Sequence, residues 1–110
     1  AAYRHEDAFR QEVLLALEYG YRSLKLFPAN GNASIKLLNT VKGPFTGIRF
    51  CPTGGVTAEN LLNFLRLPNV TCVGGTWIAP ANLIRARAWD QITQLALEAR
   101  ALAASLEHRT

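Results

Sequence analysis

Residues 48–65, IRFCPTGGVTAENLLNFL, contain a complete strand, turn and helix pattern. Ile48 to Pro52 form a short run with strand-forming residues, and Thr53-Gly54-Gly55 supply a turn. Thr57 can cap a following helix, whose apolar residues recur at helical spacing until Pro68 stops it. A strand that passes through a glycine turn into a helix is typical of α/β folds with a parallel sheet.

The same pattern occurs before this stretch. A helix is predicted over residues 6–19, where Phe9, Val13, Ala16 and Leu17 share one face, and Gly20 is its predicted stop. A short alternating strand is predicted over residues 22–27, and Pro28 with Asn30-Gly31 ends it. A second helix is predicted over residues 34–42, with Ser34 as its N-cap.

The pattern also continues after residue 65. Residues 70–73 are predicted to form a third strand, and a short segment over residues 81–85 precedes a final helix. That helix carries one continuous apolar stripe: Ile92, Leu95, Ala96, Ala99, Leu102, Ala103 and Leu106. The connections between strands are too long for hairpins and suit right-handed parallel crossovers. We therefore predict one α/β domain over residues 1–110, with three parallel strands alternating with helices.

The composition excludes several classes of protein. The chain has 110 residues, 49% hydrophobic and 18% charged, as in ordinary globular domains. It has no apolar run of about 18 residues and no apolar segment of signal-peptide type at AAYRHEDAFR, so neither membrane insertion nor secretion is expected. The net charge of +4 is scattered rather than clustered on one face, so no nucleic-acid partner is expected.

The cysteines and histidines suggest no metal or redox motif. Cys51 and Cys72 stand in strand-like runs, and neither belongs to a CxxC motif or has a nearby histidine. Reduced thiols of this kind fit a cytoplasmic protein. His5 and His108 lie near the chain ends, where solvent exposure is expected.

Lys25 is the most unusual residue of the first strand. Strand alternation places it on one face with Ser23 and Phe27, and places Leu24 and Leu26 on the other face, under helices. Lys25 is therefore predicted to point toward an interior. An amine among apolar groups loses ammonium solvation and is more often the free base that attacks a carbonyl, as in Schiff-base chemistry. The alternative is a lysine that extends to the rim of the sheet without a chemical role.

Two glycine-rich loops follow the second and third predicted strands. They are Thr53-Gly54-Gly55 and Gly74-Gly75-Thr76, and each contains a threonine hydroxyl. Glycine lets backbone N–H groups approach an anion closely, and a helix N-terminus adds a favourable field for phosphate. The two loops therefore suggest one shared phosphate site, and the alternative is that the glycines only make tight turns.

Three motifs together resemble a known family. LKLFPA at residues 24–29, IRFCPTGGVTAENLLNFL at residues 48–65 and VTCVGGTW at residues 70–77 resemble, in that order and spacing, the C-terminal half of the 2-keto-3-deoxy-6-phosphogluconate (KDPG) aldolases. The resemblance extends from about Gly20 to the final helix. It implies a (β/α)8 or TIM barrel and a class I aldolase, which cleaves its substrate to pyruvate and glyceraldehyde 3-phosphate with no metal or other cofactor.

The resemblance also assigns roles to individual residues. It implies that Lys25 is the Schiff-base lysine at the end of the sixth barrel strand and that Phe27 packs beside the bound pyruvyl group. It implies further that two loops hold the substrate phosphate, a position that TIM barrels commonly use. The residues of these loops are Thr53, Gly54 and Gly55 after the seventh strand, and Gly75 and Thr76 after the eighth.

The chain also departs from that family. A full barrel has eight strands in typically about 250 residues, so three strands imply a partial barrel. The resemblance places the family's proton-shuttling glutamate and its pyruvate-binding arginine outside the matching part. Asn30 stands where the family commonly has glutamate, and residues 1–19 match only as a helix.

A three-stranded sheet leaves two edges and one face uncovered. We therefore expect a homo-oligomer, a complementing barrel half as partner, or rearrangement to an open three-layer sheet. Two functional alternatives to the aldolase stay open. One is a catalytically silent half-barrel, natural or designed, that keeps the phosphate loops only as structure. The other binds phosphate or a phosphorylated keto acid without chemistry.

Overall fold

A computed structural model of the chain describes residues 3–106, with side chains from residue 6 onward. The predictions for the side chains of His5 and His108 lie outside this description. The elements follow the order α1 (Tyr3–Glu18), β1 (Ser23–Leu26), α2 (Gly31–Val41), β2 (Arg49–Pro52), α3 (Leu61–Leu65), α4 (Ala81–Arg85) and α5 (Trp89–Ala104). From α1 to α3 the helices and strands alternate as the sequence predicts, but the predicted third strand does not appear between α3 and α4.

Glycine ends α1 as predicted. Gly20 has a φ of 88°, in the left-handed region that glycine adopts without steric cost. Its N–H donates to the Leu17 carbonyl at 2.9 Å, and the next N–H, of Tyr21, donates to the Ala16 carbonyl at 3.0 Å. These two bonds form a Schellman motif, which satisfies carbonyls at the helix end and turns the chain toward β1.

The predicted cap of α2 is wrong in one respect. Ser34 lies inside the helix, which begins at Gly31 after Asn30. The Ser34 hydroxyl still has a capping role, because it accepts a hydrogen bond from the Asn30 N–H at 2.6 Å. The predicted cap of α3 is also wrong in position: Thr57 caps the turn before the helix, since its hydroxyl accepts from the Asn60 N–H at 3.3 Å, and Asn60 is at the N-cap of α3. The α3 helix proper begins four residues after Thr57, at Leu61.

The two strands are parallel and in register, with Ser23 opposite Arg49 and Lys25 opposite Cys51. The third predicted strand, residues 70–73, is not continuous, and this correction has a physical reason. Isolated parallel bridges join Phe50 to Val70 and Thr53 to Gly74. Phe50 and Thr53 are three positions apart in the sequence, whereas Val70 and Gly74 are four positions apart. The segment 70–74 therefore has one extra residue, which interrupts the hydrogen-bond ladder as in a β-bulge.

The core lies on one face of the sheet. Its largest fully buried side chains are Phe50, Phe64, Leu38, Ile48, Leu61, Val13 and Val41. Phe9 of α1 packs on Phe50 of β2, with ring centroids 5.7 Å apart. On the other face, Ser23, Lys25 and Arg49 are exposed. Nothing within residues 3–106 covers this second face, so the predicted three-layer rearrangement is wrong for the part of the chain that is described.

The uncovered face predicts self-association of the 110-residue chain. Among residues 6–106, eight large hydrophobic side chains are also exposed, and they include Tyr19, Phe27 and Trp89. Uncovered apolar surface and unpaired strand edges both favour contacts with other chains. We expect light scattering after size-exclusion chromatography to give a mass above that of the monomer, and a stable monomer at all concentrations would contradict this expectation.

Within the described residues, none of the helices combines the length and the hydropathy that crossing a bilayer requires.

Candidate active site

Lys25 lies near the carboxyl end of β1, on the uncovered face of the sheet. Its side chain is exposed, and its Nζ is 5.7 Å from the centroid of the Phe27 ring. The prediction that Lys25 points into an interior is therefore wrong for this chain, although the strand alternation behind it is confirmed. The reason is that α1 and α2 cover only the Leu24 and Leu26 face, so the lysine face has no second layer.

The loop after β1 packs directly on the loop after β2. The Ala29 N–H donates to both the Thr53 and the Gly54 carbonyls, each at 2.9 Å. The Phe27 ring lies against the Gly54 backbone, where an added Cβ would stand 2.6 Å from the ring edge. Glycine at position 54 therefore allows the close contact that seats Phe27 beside Lys25.

Gly55 is required for two independent reasons. Its φ is 77°, which costs an L-residue about 1–2 kcal/mol. A Cβ at this position would also collide with the Ala29 carbonyl. The Ala29 contacts thus hold the first and second loops together, and only glycine fits where they meet.

The loop that follows residues 70–73 joins the same edge of the sheet. Thr53 and Gly74 form a parallel bridge, and the Gly74 N–H donates to the Pro52 carbonyl at 3.0 Å. The Trp77 ring packs against the Gly75 backbone, where a Cβ would stand 2.5 Å from the ring. Thr76, which lies between Gly75 and Trp77 in the sequence, is exposed.

The glycine loops present unpaired backbone donors. Within residues 3–106, the N–H groups of Gly55, Gly75 and Thr76 donate to no backbone carbonyl. Clustered N–H groups of this kind form concave anion sites in many proteins. The structure thus brings all the predicted site residues to one edge: Lys25, Phe27, Thr53, Gly54, Gly55, Gly75 and Thr76.

Two cysteines adjoin this group, and sequence reasoning assigned them no role. Cys51 stands opposite Lys25 in the β1–β2 register and is half-buried, and Cys72 is exposed. Burial, and then the neighbouring Cys72 thiol, raise the pKa of Cys51, while the Thr53 hydrogen bond and the Lys25 charge oppose this shift. The sequence alone does not show that Cys51 and Cys72 lie beside Lys25 and the glycine loops, because this depends on how the strands pair.

A groove of about 600 Å³ lies on the other side of Phe27, between α1 and α2. Its lining includes Phe9, Glu12, Phe27 and Pro28, and Lys25 is not part of it. The described residues hold no group of three or more histidine, cysteine, aspartate or glutamate side chains that could bind a metal ion.

The fold and the site together define an α/β protein with a parallel sheet, whose functional loops gather at the carboxyl ends of the strands. Comparison with known proteins identifies the family. The family model "KDPG and KHG aldolase" matches residues 8–95, and the chain belongs to that family.

Known proteins support this assignment. The 2-dehydro-3-deoxy-phosphogluconate aldolase of Pseudoalteromonas atlantica is 44% identical over 95 residues, which cover 86% of this chain and 44% of that protein. The chain therefore spans less than half the length of this curated relative.

Solved structures of family members also match. A KDPG aldolase from Legionella pneumophila, with pyruvate captured as a covalent carbinolamine intermediate, aligns with a TM-score of 0.72 and 42% identity. The alignment covers 77% of this chain and 41% of that one. The Zymomonas mobilis aldolase with 3-phosphoglycerate aligns with a TM-score of 0.67 and 37% identity, over 79% of this chain and 40% of that one.

Proposed function

We propose that this chain carries the Schiff-base lysine and the phosphate loops of an aldolase that cleaves 2-keto-3-deoxy-6-phosphogluconate to pyruvate and glyceraldehyde 3-phosphate. The observation that carries the proposal is the position of Lys25, beside Phe27 and at the same sheet edge as two loops with unpaired N–H groups. The carbinolamine of the Legionella protein supports it, because a carbinolamine is the first product of an amine and a ketone.

The chemistry begins when the Lys25 Nζ, as free amine, attacks the C2 ketone of the substrate. The carbinolamine loses water to give an iminium, whose positive nitrogen accepts the electrons of the breaking C3–C4 bond. The C4 hydroxyl loses its proton, and glyceraldehyde 3-phosphate leaves. The enamine that remains takes up a proton at C3, and hydrolysis returns the free lysine and pyruvate.

Phe27 and the glycine loops have binding roles in this proposal. The exposed Phe27 ring offers an apolar surface next to the Lys25 Nζ, which suits the pyruvyl methyl group. The N–H groups of the two loops are proposed to bind the phosphate at the far end of the substrate. Fixing the substrate at both ends aligns its ketone with the lysine and lowers the entropic part of the barrier.

Proton transfer limits the rate expected of the 110-residue chain. The family resemblance places the proton-shuttling glutamate outside the part that matches here. General acid–base catalysis typically contributes about 10²–10⁴-fold. We therefore propose that residues 1–110 form one domain that reaches full activity with a complementing barrel half, and that the chain alone turns over slowly in a cytoplasmic setting.

The test is direct product analysis. The chain is incubated with 2-keto-3-deoxy-6-phosphogluconate, and pyruvate and glyceraldehyde 3-phosphate are measured separately. We expect the two products in equal amounts, with a rate that a chelator leaves unchanged. Absence of pyruvate above the buffer background, or loss of cleavage with the chelator, would overturn the proposal.

The phosphate loops give a separate prediction. Inorganic phosphate should raise the melting temperature, since a ligand at 100 times its Kd stabilises the folded state by about 2.7 kcal/mol. At roughly 4–8 °C per kcal/mol for a domain of about this size, the shift is readily measured by calorimetry. Gly55→Ala should remove most of the shift, because its Cβ collides with Ala29 and displaces the loop.

Gly43→Ala is the matched control for this prediction. An added Cβ at Gly43 meets nothing within 4 Å, and its φ is not in the left-handed region. This variant should keep the full phosphate shift. A Gly55→Ala protein that folds and responds to phosphate like the parent would show that the anion binds elsewhere.

A further inference from the structure

Lys25, Cys51 and Cys72 form a row across three neighbouring segments of the chain. Lys25 on β1 is opposite Cys51 on β2, and Cys72 lies in the segment that runs parallel to β2 on its other side. Both cysteines are free thiols, and Cys72 is exposed. The proposed aldolase chemistry uses neither thiol.

The bulge in the third segment sets the register of the two cysteines. Counted back from the bridge between Thr53 and Gly74, Cys51 stands opposite Cys72, and counted forward from the bridge between Phe50 and Val70, it stands opposite Thr71. The bulge therefore places both Thr71 and Cys72 across from Cys51. Neighbouring strands lie about 4.8 Å apart. That spacing falls within the range of roughly 4.4–6.8 Å that separates the Cα atoms of most disulfides.

Side-chain contacts keep both sulfurs on this part of the sheet. The Cys51 Sγ lies 3.7 Å from the Thr53 Oγ1, and the Thr71 Oγ1 donates to the Cys72 Sγ at 3.8 Å. In agreement with this register, the Cys72 thiol raises the pKa of Cys51.

We propose that Cys51 and Cys72 are a modification site, an oxidisable thiol pair that a hydroperoxide converts to an intrachain disulfide. The exposed Cys72 thiolate attacks the peroxide, the O–O bond breaks, and Cys72 becomes a sulfenic acid as water or an alcohol leaves. The Cys51 sulfur then attacks the Cys72 sulfur, the S–O bond breaks, and the sulfenic oxygen leaves as water with the Cys51 proton. The two thiols lose two electrons in total, and the peroxide gains them.

Exposure determines which thiol reacts first. The thiolate is the form that attacks peroxide, and its reaction requires access. Cys51 is half-buried with a raised pKa, so it stays protonated to higher pH than an ordinary thiol. Cys72 therefore reacts with the oxidant, and Cys51 resolves the sulfenic acid. This inference concerns the thiols alone and does not rest on Lys25 acting as a nucleophile.

The test is hydrogen peroxide treatment of the dilute chain, followed by intact mass measurement and peptide mapping without reductant. We expect a monomer lighter by two hydrogen atoms, a peptide pair linked through Cys51 and Cys72, and full reversal by dithiothreitol. Cys51→Ser should lose the linked pair and instead accumulate sulfenic or sulfinic acid at Cys72. Cys72→Ser should also lose the linked pair.

Two outcomes would overturn the inference. One is a folded parent chain that gives only sulfinic or sulfonic acids, or only disulfides between chains. The other is a Cys51→Ser protein in which Cys72 is oxidised no further than in the parent. Circular dichroism of each serine variant before oxidation ensures that the comparison is made between folded proteins.

Discussion

Lys25→Arg is expected to lower the rate of 2-keto-3-deoxy-6-phosphogluconate cleavage to the buffer background, a loss on the order of 10⁴-fold or more. Arginine keeps the positive charge and much of the length of lysine, but its guanidinium stays protonated and cannot attack a ketone. Since Lys25 is exposed, the replacement should change the melting temperature little. The measurement is pyruvate formation under single-turnover conditions.

Lys42→Arg is the matched control for this variant. Lys42 is also exposed, and it follows the end of α2, away from the carboxyl edge of the sheet. Its replacement should leave the cleavage rate within about twofold of the parent, an effect size usual for a surface change away from the site. A Lys25→Arg protein that cleaves the substrate as fast as the Lys42→Arg protein would exclude Lys25 as the nucleophile.

Phe64→Ala is expected to lower the free energy of unfolding by about 3–5 kcal/mol. Phe64 is 0% exposed and lies on α3, in the crossover that connects β2 to the loop of Gly74 and Gly75. Truncation removes apolar contacts and leaves a cavity in the core. Because small domains have only about 5–15 kcal/mol in total, a large part of the stability should be lost. Urea unfolding, followed by circular dichroism, measures the change.

Leu97→Ala supplies the comparison for the core variant. Leu97 lies on α5 and is 56% exposed, so its truncation should alter the free energy of unfolding by about 0.5 kcal/mol or less. Equal losses in the two variants would mean that Phe64 does not pack in the core as the structure has it.

Local periodicity explains what the sequence predicted well. The span of α1 and its end at Gly20 depend on apolar spacing and on one glycine, both of which are properties of a short segment. The parallel order of β1 and β2 follows from the crossover length and was also predicted. The clustering of Lys25 with the two glycine loops follows from parallel strands, whose carboxyl ends share one edge.

Features that depend on distant segments were not predictable in this way. The extra residue between Val70 and Gly74 becomes visible only when β2 is placed beside it. Strand alternation assigned Lys25 to the correct face, but whether that face is covered depends on other elements, and none within residues 3–106 covers it. The adjacency of Cys51 and Cys72 likewise depends on register between segments 21 positions apart.

The packing of Phe27 on Gly54 is another feature that depends on two separate segments and could not be predicted from either one. The glycine pattern indicated a turn or a phosphate loop, and both interpretations explained the absence of a side chain equally well. In the structure the missing Cβ instead makes room for an aromatic ring from the preceding loop. Gly54 therefore allows the loop after β1 to pack on the loop after β2, and the pattern of a single segment does not show this contact.

The most direct test of the central claim, that Lys25 forms the Schiff base, is reduction with borohydride in the presence of pyruvate. The chain has three lysines, at positions 25, 36 and 42, so peptide mapping can assign an adduct to one of them. We predict one reduced pyruvate adduct per chain, located on Lys25 and absent without pyruvate. No adduct, or an adduct spread equally over Lys36 and Lys42, would contradict the claim.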